Sequence, residues 1–517
     1  LDPDGSCQEA ARAEFLRGEL VCKNERKVED EYLFEDCLGE GSFGKVHKAV
    51  HIHSGVHRAI KELPKLETLA EEFELELQAL IELDHPHIVQ VIEHFESADR
   101  YFIVMELCTG PDLFSYIVDH TKVDGDPEKK KFIPESTVSV ILRQCLKAVL
   151  GCHAHGFVHR DLKAKNFLIT GSDQTIKLID FGLATRYLPN EEYEEVVGTA
   201  HYMAPEMMLS GQWTTAVDMW SLGVLFFVAL TGTLLLPNDD EKKKRLIKTP
   251  GFIKARLDKC KNLRERGLSD SARDLLTRML SFEPSERITA AQALSHPFIL
   301  AHCQEALGER LAFTCDFDKD VVRKMRRFAR APRLLKVVLL LMAHLASSAD
   351  NEDHERDMLR AEHAFRTMDQ NGDGEITLDE LKEQLEVNDV PVPSDLEELF
   401  RICNSSSSGC LSHCEFLACA LPTTVLDERL CSAVFNVLDR DCNGVISAED
   451  LQLAHPAYGR DVCEMMVAEA DLDGKGFLEF ENFLDFIHRA DQPKADPPRS
   501  CEEPEVSEPA RTRLRTS

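Results

Sequence analysis

The sequence lacks an apolar run long enough to cross a bilayer. The two longest, Leu222 to Leu236 and Leu334 to Leu345, are shorter than the roughly 20 residues of a membrane-spanning helix, and both contain polar residues. We therefore expect both runs to form buried helices. The chain begins with Leu1 rather than methionine, so we expect any membrane association to depend on an acyl signal upstream of it.

The chain also lacks paired cysteines and an excess of basic residues. Its 17 cysteines are odd in number and include no CxxC pair, which favours reduced thiols and a cytoplasmic setting. There are 60 basic and 91 acidic side chains, and the formal net charge of −31 argues against a nucleic-acid partner and favours cation binding. A length of 517 residues exceeds one ordinary core, so we expect two or three domains.

The sequence does contain a cluster of residues suited to phosphoryl transfer. HRDLKAKN occupies residues 159–166, and DFG follows at 180–182 after a strand-like run. Phosphoryl transfer needs an acceptor hydroxyl in line with the γ-phosphate and metal ions that absorb the developing charge. Asp161 can accept the hydroxyl proton, and Lys163 can steady the phosphoryl group. Magnesium can be ligated by two further side chains, Asn166 and Asp180.

A glycine-rich turn precedes these motifs in the sequence LGEGSFGKV, residues 38–46. Its three glycines would let the backbone approach phosphates: Gly39, Gly41 and Gly44. GxGxxG alone also fits a dinucleotide-binding turn, but here a strand with Lys61 follows instead of a helix. Lys61 can reach the α- and β-phosphates, and its partner on the next helix is Glu76, with Glu74 as the alternative. The residues from Glu106 to Cys108 follow a buried strand, and we interpret them as a hinge whose backbone would hydrogen-bond adenine; Asp112, just after it, could contact the ribose. The candidate ATP contacts outside the glycines and Lys61 are therefore Leu38, Val46, Ala59, Glu106, Cys108 and Asp112.

The order of these signals resembles the protein-kinase catalytic core, which implies a bilobal fold. By that resemblance, Thr199 and Lys163 are typical of serine/threonine specificity, and Arg160 would pair with a phosphate on the segment after Asp180. That segment has few hydroxyls, and we predict that one of its carboxylates replaces the phosphate: Glu191, Glu192, Glu194 or Glu195. Such kinases commonly have Glu where this chain has Lys165, which should repel a substrate arginine. A preference for basic substrates is therefore not expected from the resemblance alone.

A repeat fills the C-terminal third of the chain. Its copies begin at residues 369, 404, 439 and 471, and each has a glycine at its sixth position and an aliphatic residue at its eighth. The glycine permits a sharp turn, and the aliphatic residue packs a short strand that joins two calcium-binding loops. We therefore predict an all-α, calmodulin-like domain with two EF-hand pairs.

The four loops differ in their ligand sets, because calcium needs about six to eight oxygens. The first loop is complete and should bind strongly: Asp369, Asn371, Asp373, Glu375 and Glu380. The third should bind more weakly, because an aspartate in the last place reaches less far than glutamate: Asp439, Asp441, Asn443, Val445 and Asp450. The second, with Glu415 as its one formal charge, should stay empty. The fourth has Asp471 and Asp473, but Lys475 among the ligands opposes calcium, so we expect a structural role.

The segment before the repeats is basic from Val321 to Lys336 and then apolar to Leu345. This pattern indicates a calmodulin-like target or a membrane-surface helix, with a solvated basic face as the alternative. Pro332 predicts two helical pieces with a break before it.

A kinase core, a basic junction and four EF-hands resemble the calcium-dependent protein kinases of plants and protists over residues 32–490. The resemblance implies a serine/threonine kinase that uses ATP, Mg²⁺ and Ca²⁺. Its junction helix would block the substrate site until calcium-filled EF-hands capture it. The predicted fold is multidomain α+β, with an N-terminal extension without assigned structure (1–31), a kinase domain (32–299), an autoinhibitory junction (300–350), a calmodulin-like domain (351–490) and a disordered tail (491–517). Two alternatives are a calcium-sensing pseudokinase scaffold and a kinase regulated by separate calmodulin. The pseudokinase is disfavoured because the catalytic residues are all present, namely Lys61, Asp161, Asn166 and Asp180. Regulation by separate calmodulin stays open.

Overall fold

The computed structural model describes residues 21–41, 44–122, 131–171, 173–188, 193, 195–209, 211–237, 245–246, 248–249, 251–302, 320–345, 352–421, 428–456 and 458–490. The predicted tail and the first 20 residues of the predicted N-terminal extension lie outside these ranges. No helix within them is both long enough and apolar enough to cross a membrane.

A six-stranded sheet forms the small lobe of the first domain, in the order β1-β5-β6-β4-β3-β2. Its strands are β1 (Cys22–Asn24), β2 (Tyr32–Gly41), β3 (Gly44–His51), β4 (His57–Pro64), β5 (Val91–Glu96) and β6 (Arg100–Glu106). Four consecutive residues of β4, 58–61, are buried, which means that both faces of this central strand are covered. Helix α2 (Ala70–Glu82) contributes Phe73, Leu77 and Leu80 to the core.

The N-terminal extension is more ordered than the sequence analysis predicted. β1 pairs in parallel with β5, and the short helix α1 (Val28–Glu31) leads into β2. Val28 and Tyr32 are buried with Phe95 of β5. Residues 21–31 therefore belong to the small lobe. A three-residue strand carries too little periodicity to be recognised from sequence.

Helices dominate the large lobe. They are α3 (Leu113–Thr121), α4 (Glu135–Ala154), α5 (Pro205–Leu209), α6 (Ala216–Thr231), α7 (Phe252–Lys259), α8 (Lys261–Arg266), α9 (Asp270–Met279) and α10 (Ala290–Leu294). Two small antiparallel sheets pair β7 (Phe157–Val158) with β10 (Thr185–Arg186), and β8 (Phe167–Thr170) with β9 (Thr175–Leu178). The apolar run at Leu222 forms a buried helix as expected, and α6 ends where Gly232 adopts a left-handed conformation with φ of 62°.

The C-terminal region is almost wholly helical. Two junction helices, α11 (Val321–Arg330) and α12 (Arg333–Leu345), flank Pro332, so the predicted break is confirmed. Eight EF-hand helices follow: α13 (Glu352–Met368), α14 (Leu378–Val387), α15 (Leu396–Cys403), α16 (His413–Ala420), α17 (Glu428–Leu438), α18 (Ala448–Ala454), α19 (Arg460–Ala470) and α20 (Phe480–Ala490). Between them lie four short strands: β11 (Glu375–Ile376), β12 (Leu411–Ser412), β13 (Val445–Ile446) and β14 (Leu478–Glu479).

Helix α12 packs inside the EF-hand domain. It contacts α16, α17 and α19, and α11 contacts α15 and α16. All residues of α12 from Val337 to Leu345 are buried. The end of α12 also meets the small lobe, where Arg58 Nη2 donates to the Leu345 carbonyl at 2.8 Å. Apolar residues of the small-lobe sheet, the junction helices and the EF-hands therefore share one core.

Candidate functional site

The predicted catalytic loop lies between β7 and β8 and is organised around Asp161. Asp161 Oδ1 accepts hydrogen bonds from the backbone nitrogen of Thr199 at 2.8 Å and from its hydroxyl at 2.7 Å. Asp161 Oδ2 lies 2.5 Å from Lys163 Nζ. Asn166 Nδ2 donates to the Asp161 carbonyl at 2.9 Å. The carboxylate is thus oriented from two sides, which suits a group that accepts a proton from a positioned hydroxyl.

A buried ion cluster connects the two lobes. Lys61 Nζ on β4 lies 2.5 Å from Glu76 Oε1 on α2 and 3.1 Å from Asp180 Oδ1. Of the two glutamates considered, Glu76 is buried and Glu74 is exposed, so the structure pairs Lys61 with Glu76. Burial opposes the charge on Lys61, but both carboxylates outweigh it and raise the pKa of Lys61. Burial likewise opposes ionisation of Asp180, yet Lys61 prevails and lowers the pKa of Asp180.

A protonated lysine beside an ionised aspartate is the arrangement that nucleotide phosphates and a divalent cation require. Asn166 is buried in the same loop that presents Asp161, and its backbone nitrogen and carbonyl bond to Lys163 and Ile179. The neighbour of Ile179 is Asp180, so backbone hydrogen bonding brings the two predicted magnesium ligands close together. The residues present therefore fit a magnesium ion held beside the phosphates of ATP.

Asp218, at the start of α6, holds the backbone of the catalytic loop. Its buried carboxylate accepts hydrogen bonds from the backbone nitrogens of His159 and Arg160, each at 3.0 Å. Arg160 and Asp180 have positive φ angles of 65° and 63°, which cost free energy in residues other than glycine. No sequence motif marked Asp218 as a positioning residue. The signal that could have marked it is the single charge near the start of a long, mostly apolar helix.

The glycine-rich turn connects β2 to β3 through the pair Gly41 and Gly44. A Cβ on Gly39 would meet nothing within 4 Å, so this position leaves room for a phosphate. Gly44 has φ of 131°, and a Cβ there would collide with the Glu62 carbonyl. Glycine at position 44 is therefore required by the strand contact itself, a reason that the motif alone did not provide.

Three of the predicted ATP contacts lie in the small-lobe sheet. Val46 on β3 and Ala59 on β4 come from the sheet, and Ala59 lies opposite Met105 on β6. Leu38 on β2 is 52% exposed. These three predicted ATP contacts thus belong to adjacent strands of one sheet.

The hinge residues have additional structural roles. The buried Glu106 carboxylate accepts hydrogen bonds from the backbone nitrogen of Gln90 and from Lys177 Nζ, both at 2.8 Å. Because this side chain is occupied, adenine would hydrogen-bond to the backbone of the hinge rather than to the Glu106 carboxylate. Burial raises the pKa of the Cys108 thiol to about 12, which keeps it protonated. Asp112 caps α3 by accepting from the Ser115 backbone nitrogen at 2.9 Å. A ribose contact by Asp112 would have to share the carboxylate with this cap.

The segment after Asp180 brings one carboxylate to Arg160. Glu195 Oε2 lies 2.7 Å from Arg160 Nη1. Arg160 Nε also donates to the Leu183 carbonyl at 2.7 Å, and its guanidinium lies 5.0 Å from the centroid of the Trp213 ring. The other three glutamates considered, Glu191, Glu192 and Glu194, lie outside the described residues. Beyond the segment, Glu206 and Arg287 form a two-pronged ion pair at 2.7 and 3.0 Å.

The four loops of the EF-hand domain have the predicted backbone geometry. The sixth-position glycines all have positive φ: Gly374, Gly409, Gly444 and Gly476. β11 pairs with β12 through Ile376 and Leu411, and β13 pairs with β14 through Ile446 and Leu478. The prediction of two EF-hand pairs is confirmed.

The first and third loops offer carboxylates to a cation. In the first, Asp369 Oδ2 is buried and accepts no hydrogen bond, whereas Glu380 Oε1 accepts from the nitrogens of residues 370 and 371. In the third, carboxylate oxygens of three residues lie within 4.8 Å of one another: Asp439, Asp441 and Asp450. Burial raises the pKa of both first-position aspartates, Asp369 and Asp439. A buried carboxylate oxygen without a donor and a tight carboxylate cluster both fit a calcium ion.

The remaining predicted ligands of these loops hydrogen-bond within the loop or lie at the start of its short strand. Asn371 Nδ2 donates to Asp373 Oδ2 at 2.8 Å, and Asn443 Nδ2 donates to Asp441 Oδ2 at 2.8 Å. Glu375 and Val445, the seventh residues of the two loops, both lie at the start of a two-residue strand. The seventh residue of such a loop ligates calcium through its backbone carbonyl.

The second and fourth loops satisfy their own polar groups. In the second, Ser406 donates from its hydroxyl to Asn404 Oδ1 at 3.1 Å and from its nitrogen to Glu415 Oε1 at 2.8 Å. In the fourth, Asp473 lies 3.0 Å from Lys475 Nζ and accepts from Asn482 Nδ2 at 3.0 Å. Asp471 accepts hydrogen bonds from three backbone nitrogens of its own loop. In the fourth loop, the Lys475 ammonium and the Asn482 amide thus compete with calcium for the Asp473 carboxylate.

A polar interface joins the EF-hand domain to the first domain. Asp84, in the turn after α2, accepts from the Cys414 nitrogen at 2.8 Å. His413 lies between Asp84 and Glu362, at 3.6 and 3.0 Å. Burial opposes its charge, but the two carboxylates raise the pKa of His413 to about 9. No local motif marks these residues, because the partners are hundreds of positions apart in sequence.

Comparison with known proteins divides the chain in the same way. A protein kinase domain model matches residues 32–299, and an EF hand model matches residues 361–385 and 432–453, which contain the first and third loops. Calcium-dependent protein kinase 5 of Plasmodium falciparum (isolate 3D7) is 29% identical over 90% of this chain and 79% of its own. Calcium-dependent protein kinase 3 of Plasmodium berghei (strain Anka) is 30% identical over 92% of this chain and 83% of its own length. Calcium-dependent protein kinase 11 of Oryza sativa subsp. japonica is 28% identical over 90% of this chain and 78% of its own length.

Proposed function

The chain belongs to the calcium-dependent protein kinases, and we propose on that basis that its EF-hand domain controls the catalytic site through the junction helices. It is a calcium-activated serine/threonine kinase that uses ATP and Mg²⁺, and its first domain is hereafter the kinase domain. The match over nearly the full length disfavours regulation by separate calmodulin.

In the catalytic step, Asp161 accepts the proton of the substrate hydroxyl, while Lys163 neutralises charge on the transferring phosphoryl group. Asn166 and Asp180 would hold Mg²⁺, which supplies positive charge to the phosphates when bound. Lys61 binds the α- and β-phosphates and is oriented by Glu76. The ion cluster of Lys61 and the hydrogen bonds from Thr199 to Asp161 support these assignments.

The burial of α12 carries the regulatory proposal. Its nine residues from Val337 to Leu345 are buried against helices of both EF-hand pairs. Exposing this mostly apolar stretch of nine residues to water is unfavourable, so α12 needs a partner in every state of the protein. We assign the EF-hand domain as that partner when calcium is bound, and the kinase domain when it is not. Tethering supports the exchange, because a linked segment is present at an effective concentration of about millimolar.

A substitution in α12 tests this proposal. Val338→Glu places a charge in the buried face, so calcium should no longer increase peptide phosphorylation above the level seen with a chelator. Arg323→Glu, on a side chain of α11 that is 76% exposed, is the matched control and should retain calcium stimulation. Both are measured on the full chain without added calmodulin. Normal calcium stimulation of Val338→Glu would contradict the assignment of the EF-hand domain as the partner of α12.

We also propose that Glu195 takes the place of an activating phosphate. Its carboxylate lies against Arg160, whose backbone belongs to the catalytic loop, so the pair joins the segment after Asp180 to Asp161. A carboxylate supplies a single negative charge where a phosphate would supply about two. The segment would then be ordered as the protein is made, without an upstream kinase.

Lys165 is the residue that we propose shapes substrate preference. It is exposed between Lys163 and Asn166, and its Nζ lies 5.8 Å from the centroid of the exposed Phe114 ring. A cation beside the phosphoacceptor site repels basic substrate residues and attracts acidic ones. We further propose a cytoplasmic setting, in keeping with the free thiols of the cysteines that the structure describes.

A further inference from the structure

One face of α4 in the kinase domain lies against the first calcium loop. Lys147 and Gly151 are one helical turn apart, and His155 follows one turn later at the end of the helix, so the three residues form one stripe. Lys147 Nζ lies 3.6 Å from Asp369 Oδ2 and donates to the Asp369 carbonyl at 3.3 Å. At the other end of the stripe, His155 Nε2 lies 3.7 Å from Glu375 Oε1.

Glycines allow this close approach. A Cβ on Gly372 would lie 2.9 Å from the Lys147 side chain, and a Cβ on Gly374 would collide with the imidazole ring of His85, another residue of the kinase domain. The Lys147 stem therefore packs directly on the loop backbone, with its ammonium group at the first ligand position. Contact at this range makes the charge of Lys147 part of the environment in which the loop binds calcium.

Both charged groups are removed from water. The side chain of Lys147 is 5% exposed and that of Asp369 is fully buried. Asp369 Oδ2 accepts no hydrogen bond, so the positive charge of Lys147 compensates the negative charge on this oxygen. A buried carboxylate that loses its only compensating cation is strongly destabilising. Lys147 therefore stabilises the contact between the domains most when the loop carries its full negative charge.

We propose that Lys147 acts as a built-in competitor of calcium at the first loop, so that the kinase domain sets the calcium concentration at which this loop fills. Its ammonium compensates Asp369 in the docked arrangement and repels a divalent cation that approaches the same carboxylate. The inference rests on the proposed role of Asp369 as a calcium ligand. Coulomb's law gives a factor of about ten in affinity for a unit charge about 6 Å from a divalent ion, even at the dielectric constant of bulk water.

Calcium titration calorimetry on the full chain tests the proposal. An Asp450→Ala background removes the last ligand of the third loop, so the remaining strong site is the first loop. In that background, Lys147→Met keeps the apolar stem and removes the charge, and it should lower the calcium dissociation constant about tenfold. Lys147→Arg keeps the charge, and Lys254→Met removes an exposed charge elsewhere in the kinase domain. Both controls should bind calcium as the parent does.

A thermal melt provides a readout that is independent of kinase activity. With a chelator present, Lys147→Met should melt below the parent, because Asp369 loses its partner, and the rise in melting temperature on adding calcium should be larger. Unchanged or weaker calcium binding by Lys147→Met, or an Arg variant that behaves like the Met variant, overturns the proposal. If the Asp450→Ala parent takes up no calcium, the ligand assignment fails first, and the inference fails with it.

Discussion

Replacement of Glu195 by alanine tests whether this kinase needs an activating phosphate. The substitution removes the carboxylate that faces Arg160 at 2.7 Å and leaves the rest of the segment unchanged. If the ion pair contributes to ordering the segment, the variant should lose part of its activity. If a phosphate is required instead, the unphosphorylated parent should already be inactive.

The exposure of the pair sets the size of the expected effect. Arg160 is 9% exposed, but Glu195 is 68% exposed, so solvent screens the interaction. Exposed ion pairs contribute about 0.2–1 kcal/mol. Arg160 also keeps its hydrogen bond to the Leu183 carbonyl and its contact with Trp213. We therefore expect kcat/KM to fall by about two- to fivefold, since 1 kcal/mol corresponds to a factor of about five.

The assay uses full-length protein made in a host without serine/threonine kinases, with mass spectrometry to establish that the segment carries no phosphate. Initial rates of peptide phosphorylation are measured at saturating calcium and ATP. Glu67→Ala, an exposed glutamate of the small lobe, is the matched control and should retain the parent rate. The kcat/KM of Glu195→Gln should lie between those of the parent and the alanine variant, because glutamine keeps a hydrogen-bond acceptor without the charge.

Two results would contradict the proposed role of Glu195. A parent protein that is inactive until an upstream kinase phosphorylates it would show that Glu195 does not replace a phosphate. A hundredfold loss in Glu195→Ala would exceed what an exposed ion pair can supply, and would assign the carboxylate a role in substrate binding or chemistry.

Three further substitutions and one pH dependence follow from the structure. Asp161→Asn should abolish peptide phosphorylation while calorimetry still detects ATP binding, because only the proton acceptor is lost; substantial residual turnover would contradict its role. Asp450→Glu should raise the affinity of the third loop for calcium, relative to its affinity for magnesium, by about tenfold, since the longer side chain can ligate through both oxygens. The same ratio of the two affinities in parent and variant would argue against this. Lys165→Glu should move the preference on a peptide array toward basic residues, and an unchanged profile would exclude Lys165 as a determinant. The charge on His413 should stabilise the fold fully below its unfolded pKa of about 6.5 and cease to do so as pH rises through the folded pKa of about 9. In urea denaturation, the free energy of unfolding of the parent should fall by up to about 3 kcal/mol over this pH range relative to that of His413→Gln. The same pH dependence in both proteins would contradict the buried pairing of His413 with the two carboxylates.

Patterns that are local in the chain could be predicted from the sequence. The calcium loops are recognisable because ligands, turn glycine and strand residue fall within twelve consecutive positions, and the structure pairs them through Ile376 and Leu411 as expected. The break at Pro332 follows equally directly from the missing backbone donor and the ring of proline. The choice between Glu74 and Glu76 needed the structure, because two residues along a helix differ by about 200° in direction and only packing decides which faces Lys61.

Tertiary structure alone decided how the two domains meet. Lys147 and Asp369 are 222 positions apart, and Cys414 and Asp84 are 330 apart, so no periodicity or spacing links them. Each residue taken singly resembles an ordinary surface charge or helix residue, and its role arises from burial against a distant segment. The sequence therefore determined which chemical groups the protein carries for phosphoryl transfer and calcium binding. Which charges lose their water and face each other was determined only when the chain packed, because burial depends on the whole fold.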